Sequence, residues 1–372
     1  MKKNKLLIAV SAIVALVVVT IGIIKNRQQA MDDNMVRIGV ILPLTGAVGF
    51  EGERVLASMQ MAMEEVNAKS ETNKFELVVE DGKWVAKDTI TAYNRLMMKK
   101  VDALVVFGDT PCLTIKDASK NAEIPIFCIS GVADLIEGNS WFIQCLFQSI
   151  GPTSKIADYA IRNEIYETSV LYLNEPLCQK TVAGFCEPYI RGKGKILSQD
   201  TFEWNDKDIK SVVAKALSNK PQAVFVFGYG PSYISVLNQL MTQKFNGIIM
   251  TDLNVIAVRK ELLNSGDGIV YGDVDFGEES SNDATKEFIK NLKQMHGYEA
   301  NAFAAFSYES IRILDGLIAK HGKSPNNILA GVSEIRDYSS IAGKLSYGRN
   351  RELETPILVK QLTKDSVKVL DK

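Results

Sequence analysis

From Val36 onward, short β-type apolar runs alternate with stretches of helical periodicity, and this alternation constrains the fold more than any other feature. Val36–Leu42 is apolar and β-branched and stops at Pro43 and Gly46. Val55, Met59, Met63 and Val66 then recur at the spacing of one helix face. Residues 75–80 read as a strand, 88–100 as a helix, 103–107 as a strand, 113–121 as a short helix and 125–129 as a strand. Strands separated by helices cannot pair as hairpins, so they pair in parallel and are covered by helices on both faces.

The alternation restarts after the Gly-Pro at 151–152. Helices are expected at 153–163, 179–190, 209–217 and 232–243, and strands at 169–173, 196–201, 223–227, 247–250 and 269–271. Two long helices follow near 282–296 and 300–320, then strands at 344–346, 356–361 and 367–370. With 372 residues the chain has room for two domains. The reading is an α/β protein of two Rossmann-like lobes with parallel sheets, a ligand cleft between them and three crossovers, near 148–151, 273–277 and 337–343. Residues 36–147 plus 277–336 form lobe 1, and 151–273 plus 343–372 form lobe 2.

Ahead of this body, Lys2, Lys3 and Lys5 precede an uncharged stretch from Leu6 to Ile24. As a helix its 19 residues would rise about 28 Å, close to the apolar thickness of a bilayer. Residues 1–31 therefore read as an uncleaved membrane anchor or a cleaved signal peptide, and both place the remainder outside the cytoplasm. The five bases of this segment hide an acidic body, which carries 38 Lys and Arg against 44 Asp and Glu. Such a body is a poor match for nucleic acid. The five cysteines are odd in number; Cys178 and Cys186 either close a small loop or join the others as buried apolar residues.

Ligands of open α/β sheets sit outside the carboxyl ends of the strands. Those ends here are 44–50, 108–112, 130–134, 174–179, 228–230 and 251–254, rich in Gly, Ser, Thr, Asp and Asn. Catalytic patterns are missing: His296 and His321 are the only histidines and lie far along the chain from these loops. No G-x-S-x-G, H-E-x-x-H or Walker sequence occurs. The reading is of a non-enzyme without cofactor or metal.

The segments RIGVILPLTGAVGFEGERVLASMQMAMEEVNA, VDALVVFGDTPC, IPIFCISGVAD, PQAVFVFGYGPSYISVLNQL and IAGKLSYGRNRE, in this order, resemble the type I periplasmic binding proteins of the branched-chain amino-acid-binding branch. The resemblance covers Val36 to about Leu370. It implies an extracytoplasmic protein that captures a small polar or amphipathic ligand for an ABC permease. A membrane-held ligand-binding subunit of a sensory system is the alternative. In that family, hydroxyls and amides of the loops after strands three and four grip a ligand carboxylate. Carried over, these positions fall on Cys112 and on Ser130, Gly131, Val132 and Ala133, with Asp109 and Thr110 beside them. Cys112 and Val132 stand where the family has hydroxyls, which argues against a bare α-amino-acid carboxylate. Phe50, Tyr229 and Trp84 are candidate aromatic walls or ordinary packing. Asn174, Glu175 and Asp252 complete the candidate contacts, with the two acids either facing a cationic group or standing solvated on loops.

Overall fold

The computed structural model describes residues 34–371 apart from Ala47 and Glu71. The uncharged stretch 6–24 and the anchor or signal reading of residues 1–31 lie outside the described residues.

The chain runs β1 (Met35–Leu42), α1 (Gly49–Lys69), β2 (Lys74–Asp81), α2 (Ala86–Met98), β3 (Ala103–Phe107), α3 (Asp109–Ile115), β4 (Ile126–Ile129) and β5 (Phe142–Gln144). These strands form a parallel sheet of order β2-β1-β3-β4-β5. Every residue of β3 is buried because both faces of the sheet are covered. Ala103, Val105 and Phe107 enter one core, and Leu104 and Val106 enter another on the opposite face. Val55, Met59, Ala62 and Val66 form the buried stripe of α1.

A second unit follows: α4 (Ile150–Arg162), β6 (Glu167–Leu173), α5 (Pro176–Arg191), β7 (Lys195–Phe202), α6 (Ile209–Leu217), β8 (Ala223–Phe227), α7 (Gly230–Thr242), β9 (Ile248–Asp252), α8 (Asn254–Ala257) and β10 (Val270–Asp273). The chain then returns to the first core through α9 (Asp283–His296), α10 (Ala302–His321) and α11 (Pro325–Val332). A small antiparallel sheet, β11 (Tyr338–Ser340), β12 (Gly343–Tyr347) and β13 (Leu353–Glu354), comes next. The closing hairpin β14 (Leu358–Leu362) and β15 (Val367–Asp371) completes the second sheet, in the order β15-β14-β10-β9-β8-β6-β7. The result is the expected two-lobed α/β architecture.

One boundary differs from expectation. The sequence places the last crossing near 337–343 and residues 343–372 in the second lobe, but Leu345, Tyr347 and Leu353 are buried in the first core with Ile341 and Ala342. The last crossing therefore falls between Leu353 in the first core and Val359 in the second. Alternating apolar residues identify a strand but not which sheet it joins. The other two crossings lie between Phe147 and Ile156, and between Tyr271 and Val274. The second is pinned by the buried Lys360 ammonium, which lies 2.7 Å from a Glu279 carboxylate oxygen and 3.4 Å from Asp273 Oδ2, and donates to the Phe276 carbonyl at 2.7 Å.

Candidate functional site

Each sheet reverses its chain order once: β2 and β3 flank β1, and β7 and β8 flank β6. At such a reversal the loops leaving adjacent strands turn in opposite directions and open a crevice. The two crevices face each other across a cavity of 220 Å³. Lobe 1 contributes Val48, Phe50, Trp84, Gly108, Asp109 and Gly131, and lobe 2 contributes Leu177, Cys178, Thr181, Tyr229, Asp252 and Asn254. A larger groove of 730 Å³ lies beside it and shares Phe50 and Ala257, but its walls include the outer charges Arg259, Lys260, Glu261 and Glu299. The smaller cavity is the one at which the strand ends converge.

Its walls are mainly aromatic and aliphatic. Lys83 and Trp84 both adopt positive φ, 51° and 60°, an uncommon conformation for bulky residues that is held here by its surroundings. This backbone lays the Trp84 indole on Gly108, where a Cβ would stand 2.3 Å from the ring. Trp84 meets Phe107 edge-on at 5.9 Å between centroids, and Phe107 meets Phe303 at 5.8 Å. Across the cleft, Tyr229 packs edge-on against Trp204 at 5.7 Å.

Polar groups are few. Asp109 Oδ1 accepts from Ser130 Oγ at 2.7 Å and from the Gly131 N–H at 3.1 Å. Burial raises its carboxyl above the ordinary range, against these two donors. Gly131 packs closely on the next segment: a Cβ there would lie 2.2 Å from Ser149 Oγ, and that hydroxyl would have to move. Asp252 accepts from the Asn254 N–H at 3.2 Å and Nδ2 at 3.1 Å. Burial pushes its carboxyl up to about 7, and the carboxylates of Asp273 and Asp109 push the same way. Tyr229 donates its hydroxyl to Glu175, and burial raises its phenol well above the usual range. Glu51 is also buried in the wall, but Arg54 lies 2.6 Å from it and Asn301 donates to it at 2.8 Å.

Of the residues expected at the site, Phe50, Asp109, Gly131, Tyr229 and Asp252 line the cavity, and so does Trp84. Ser130 and Glu175 stand one hydrogen bond behind, on Asp109 and Tyr229 respectively. The remaining candidates are elsewhere. Cys112 is fully buried with its thiol 3.4 Å from the Val106 carbonyl, because α3 begins at Asp109 and turns residue 112 back onto the sheet. Val132 packs into that same core. Thr110 and Ala133 do not reach the cavity, and exposed Asn174 donates to Glu203 at 2.6 Å. The Cys178–Cys186 loop does not form: both thiols are free and buried on α5, about 12 Å apart along one helix. Leu177 and Cys178, inside the strand end 174–179 but not among the candidate contacts, also line the cavity, as do Thr181 and Phe303, which the sequence does not single out; Thr181 follows Pro176 into the first turns of a helix that leaves a strand end, the one signal available for it.

Residues 35–366 match the family described as periplasmic binding protein. The chain belongs to the periplasmic binding protein family. Its relatives include the Leu/Ile/Val-binding protein homolog 8 of Brucella abortus, 22% identical, with 86% of each chain covered. Among solved structures, a leucine-binding protein LivK from Thermotoga maritima superposes with a TM-score of 0.79 at 20% identity, over 90% of this chain and 97% of that one. An ABC-transporter solute-binding protein from Rhodopseudomonas palustris, in complex with 3,4-dihydroxybenzoic acid, gives 0.82 at 17% identity, over 91% and 97%. The family consists of extracytoplasmic solute-binding proteins, and this member has their two lobes and the cleft between them.

Proposed function

We propose that this periplasmic binding protein captures a small amphipathic solute in the 220 Å³ cleft and hands it, enclosed, to an ABC permease, without catalysing any reaction on it. The observation that carries this reading is the convergence of strand ends from both sheets on one apolar cavity with few polar groups. The volume is below the about 300–1,000 Å³ of drug-sized sites, so the solute is compact. Trp84 and Tyr229 are the walls, and Asp109 and Asp252 the polar contacts. The relatives' ligands, branched-chain amino acids and an aromatic acid by their names, support a ligand with an apolar body.

The lobes we propose are 35–147 with 274–354, and 150–273 with 358–371. Hinge motion at the three crossings would close them on the solute. Residues 6–24 export or tether the chain.

Thermal-shift screening of amines, amides, amino acids and carboxylic acids tests the reading, because a ligand of the folded state alone raises Tm. A hit is expected to lose about 10–100-fold in affinity in Trp84→Ala or Tyr229→Ala, the scale of about 1.5–3 kcal/mol for an apolar contact. A hit whose affinity both variants leave intact would place the binding site elsewhere.

A further inference from the structure

We propose that the cleft selects a small organic cation with an apolar tail and rejects carboxylates, because an internal carboxylate, Asp109, already occupies the hydrogen-bond donors of the lobe 1 loop. This inference deepens the solute-binding reading above and rests on it.

Three observations converge. The first is the occupied donor set. Ser130 Oγ and the Gly131 N–H, the donors a ligand anion would seek on that loop, both point at Asp109 Oδ1 at 2.7 and 3.1 Å. A ligand carboxylate would have to compete with a covalently tethered one.

The second is the charge of the wall. Among the described residues, no Lys, Arg or His lines the cavity, whereas Glu51, Asp109 and Asp252 do. Arg54 offsets Glu51. Asp109 and Asp252 accept hydrogen bonds from neutral groups, namely Ser130, Gly131 and Asn254. Two carboxylates in an apolar cavity with no counter-ion are costly, and a bound cation supplies the missing charge.

The third is the placement of these acids on opposite lobes. Asp109 begins α3 in lobe 1 and Asp252 ends β9 in lobe 2. Besides burial, the Asp109 carboxylate disfavours ionisation of Asp252 across the cleft. A cation between them turns that repulsion into attraction on both sides, so closure is coupled to the ligand's charge. Trp84 and Tyr229 add aromatic rings to the lining, and a ring face favours an ammonium and gains nothing from an anion.

A matched ligand series separates the possibilities: 3-methylbutylamine, leucine, 4-methylpentanoate and 4-methylpentanamide share one branched tail and differ in head group. Titration calorimetry at pH 8 is expected to give 3-methylbutylamine at least tenfold tighter than each of the other three. Asp109→Asn keeps the side-chain shape and removes the charge; it should weaken the amine about 10–100-fold, the scale of a charge-assisted hydrogen bond. Asp252→Asn should do the same from the other lobe. Asp109→Ala frees Ser130 and Gly131, and should bring 4-methylpentanoate to measurable binding. A single cooperative melt of each variant at pH 5 verifies that it folds. Tighter binding of leucine or the acid by the wild type, abolished in Tyr229→Ala, would sink cation selection and leave cleft capture standing. Equal binding of amine and amide, no amine binding up to 10 mM, or an amine affinity indifferent to Asp109→Asn would each overturn it too.

Discussion

Ser130 and Asp109 are joined by a 2.7 Å hydrogen bond between loops that follow adjacent strands of the first sheet. Because of this contact the loop's hydroxyl serves an internal acid rather than open space. It also reassigns the roles expected of Cys112 and Val132, whose side chains lie in the core behind the loop. The pair Cys112→Ser and Val132→Thr should therefore leave ligand selectivity unchanged. The threonine hydroxyl would be buried among apolar groups, at a cost of about 1–3 kcal/mol in stability. Calorimetric titration together with denaturant melts of the double variant checks both statements; a gain in amino-acid affinity would contradict the first.

Asp252 makes stability pH-dependent in a definite direction. Its carboxyl sits at about 7 in the folded protein, against about 3.9 in an unfolded chain. Burial opposes its ionisation most, the Asn254 amide favours it, and Asp273 and Asp109 add to the opposition. Below pH 4 both states hold the proton and there is no penalty. Between about pH 4 and 7 the folded state binds more protons than the unfolded one, so this group's contribution falls as pH rises, and the penalty is complete above 7. Asp252→Asn should melt higher than wild type at pH 8, with the gap closing towards pH 4. A Tm difference that is constant across this range would refute the assignment.

Lys360 is the cation of the middle crossing, facing Asp273 at the end of β10 and Glu279 in the connection to α9. Lys360→Met removes the charge and leaves two acids without it. Breaking one side of a buried pair costs about 3–5 kcal/mol. The expected result is a large drop in the denaturant midpoint, partly restored by adding Asp273→Asn and Glu279→Gln. A single-variant loss below 1 kcal/mol would show the cluster to be dispensable.

Much of this architecture is legible in the sequence, for reasons that also mark the limits. Runs such as Ala103–Phe107 and Ala223–Phe227 are buried on both faces, so their apolar continuity identifies parallel strands without reference to partners. The loops after them are then fixed as the cleft, and Phe50, Asp109, Gly131, Tyr229 and Asp252 were found that way. What the sequence conceals is orientation within a loop. Helix α3 starts at Asp109, so Asp109 faces the cavity and Cys112, one turn on, faces the sheet. A helix start displaced by one or two residues would exchange those roles. Trp84 reaches the cavity through two consecutive left-handed residues, neither of them glycine, which no local propensity would suggest. The third crossing was misplaced because β12 and β13 carry an ordinary strand pattern, and only packing assigns Leu345 and Leu353 to the first core.

On the proposed reading, the two lobes close on a cationic ligand held between Asp109 and Asp252. Small-angle scattering at pH 8, with and without saturating 3-methylbutylamine, measures this in solution. A smaller radius of gyration is expected in the presence of the amine, and no contraction in Asp109→Asn at the same amine concentration. An unchanged radius in the wild type at demonstrated saturation, or equal contraction in the variant, would contradict it.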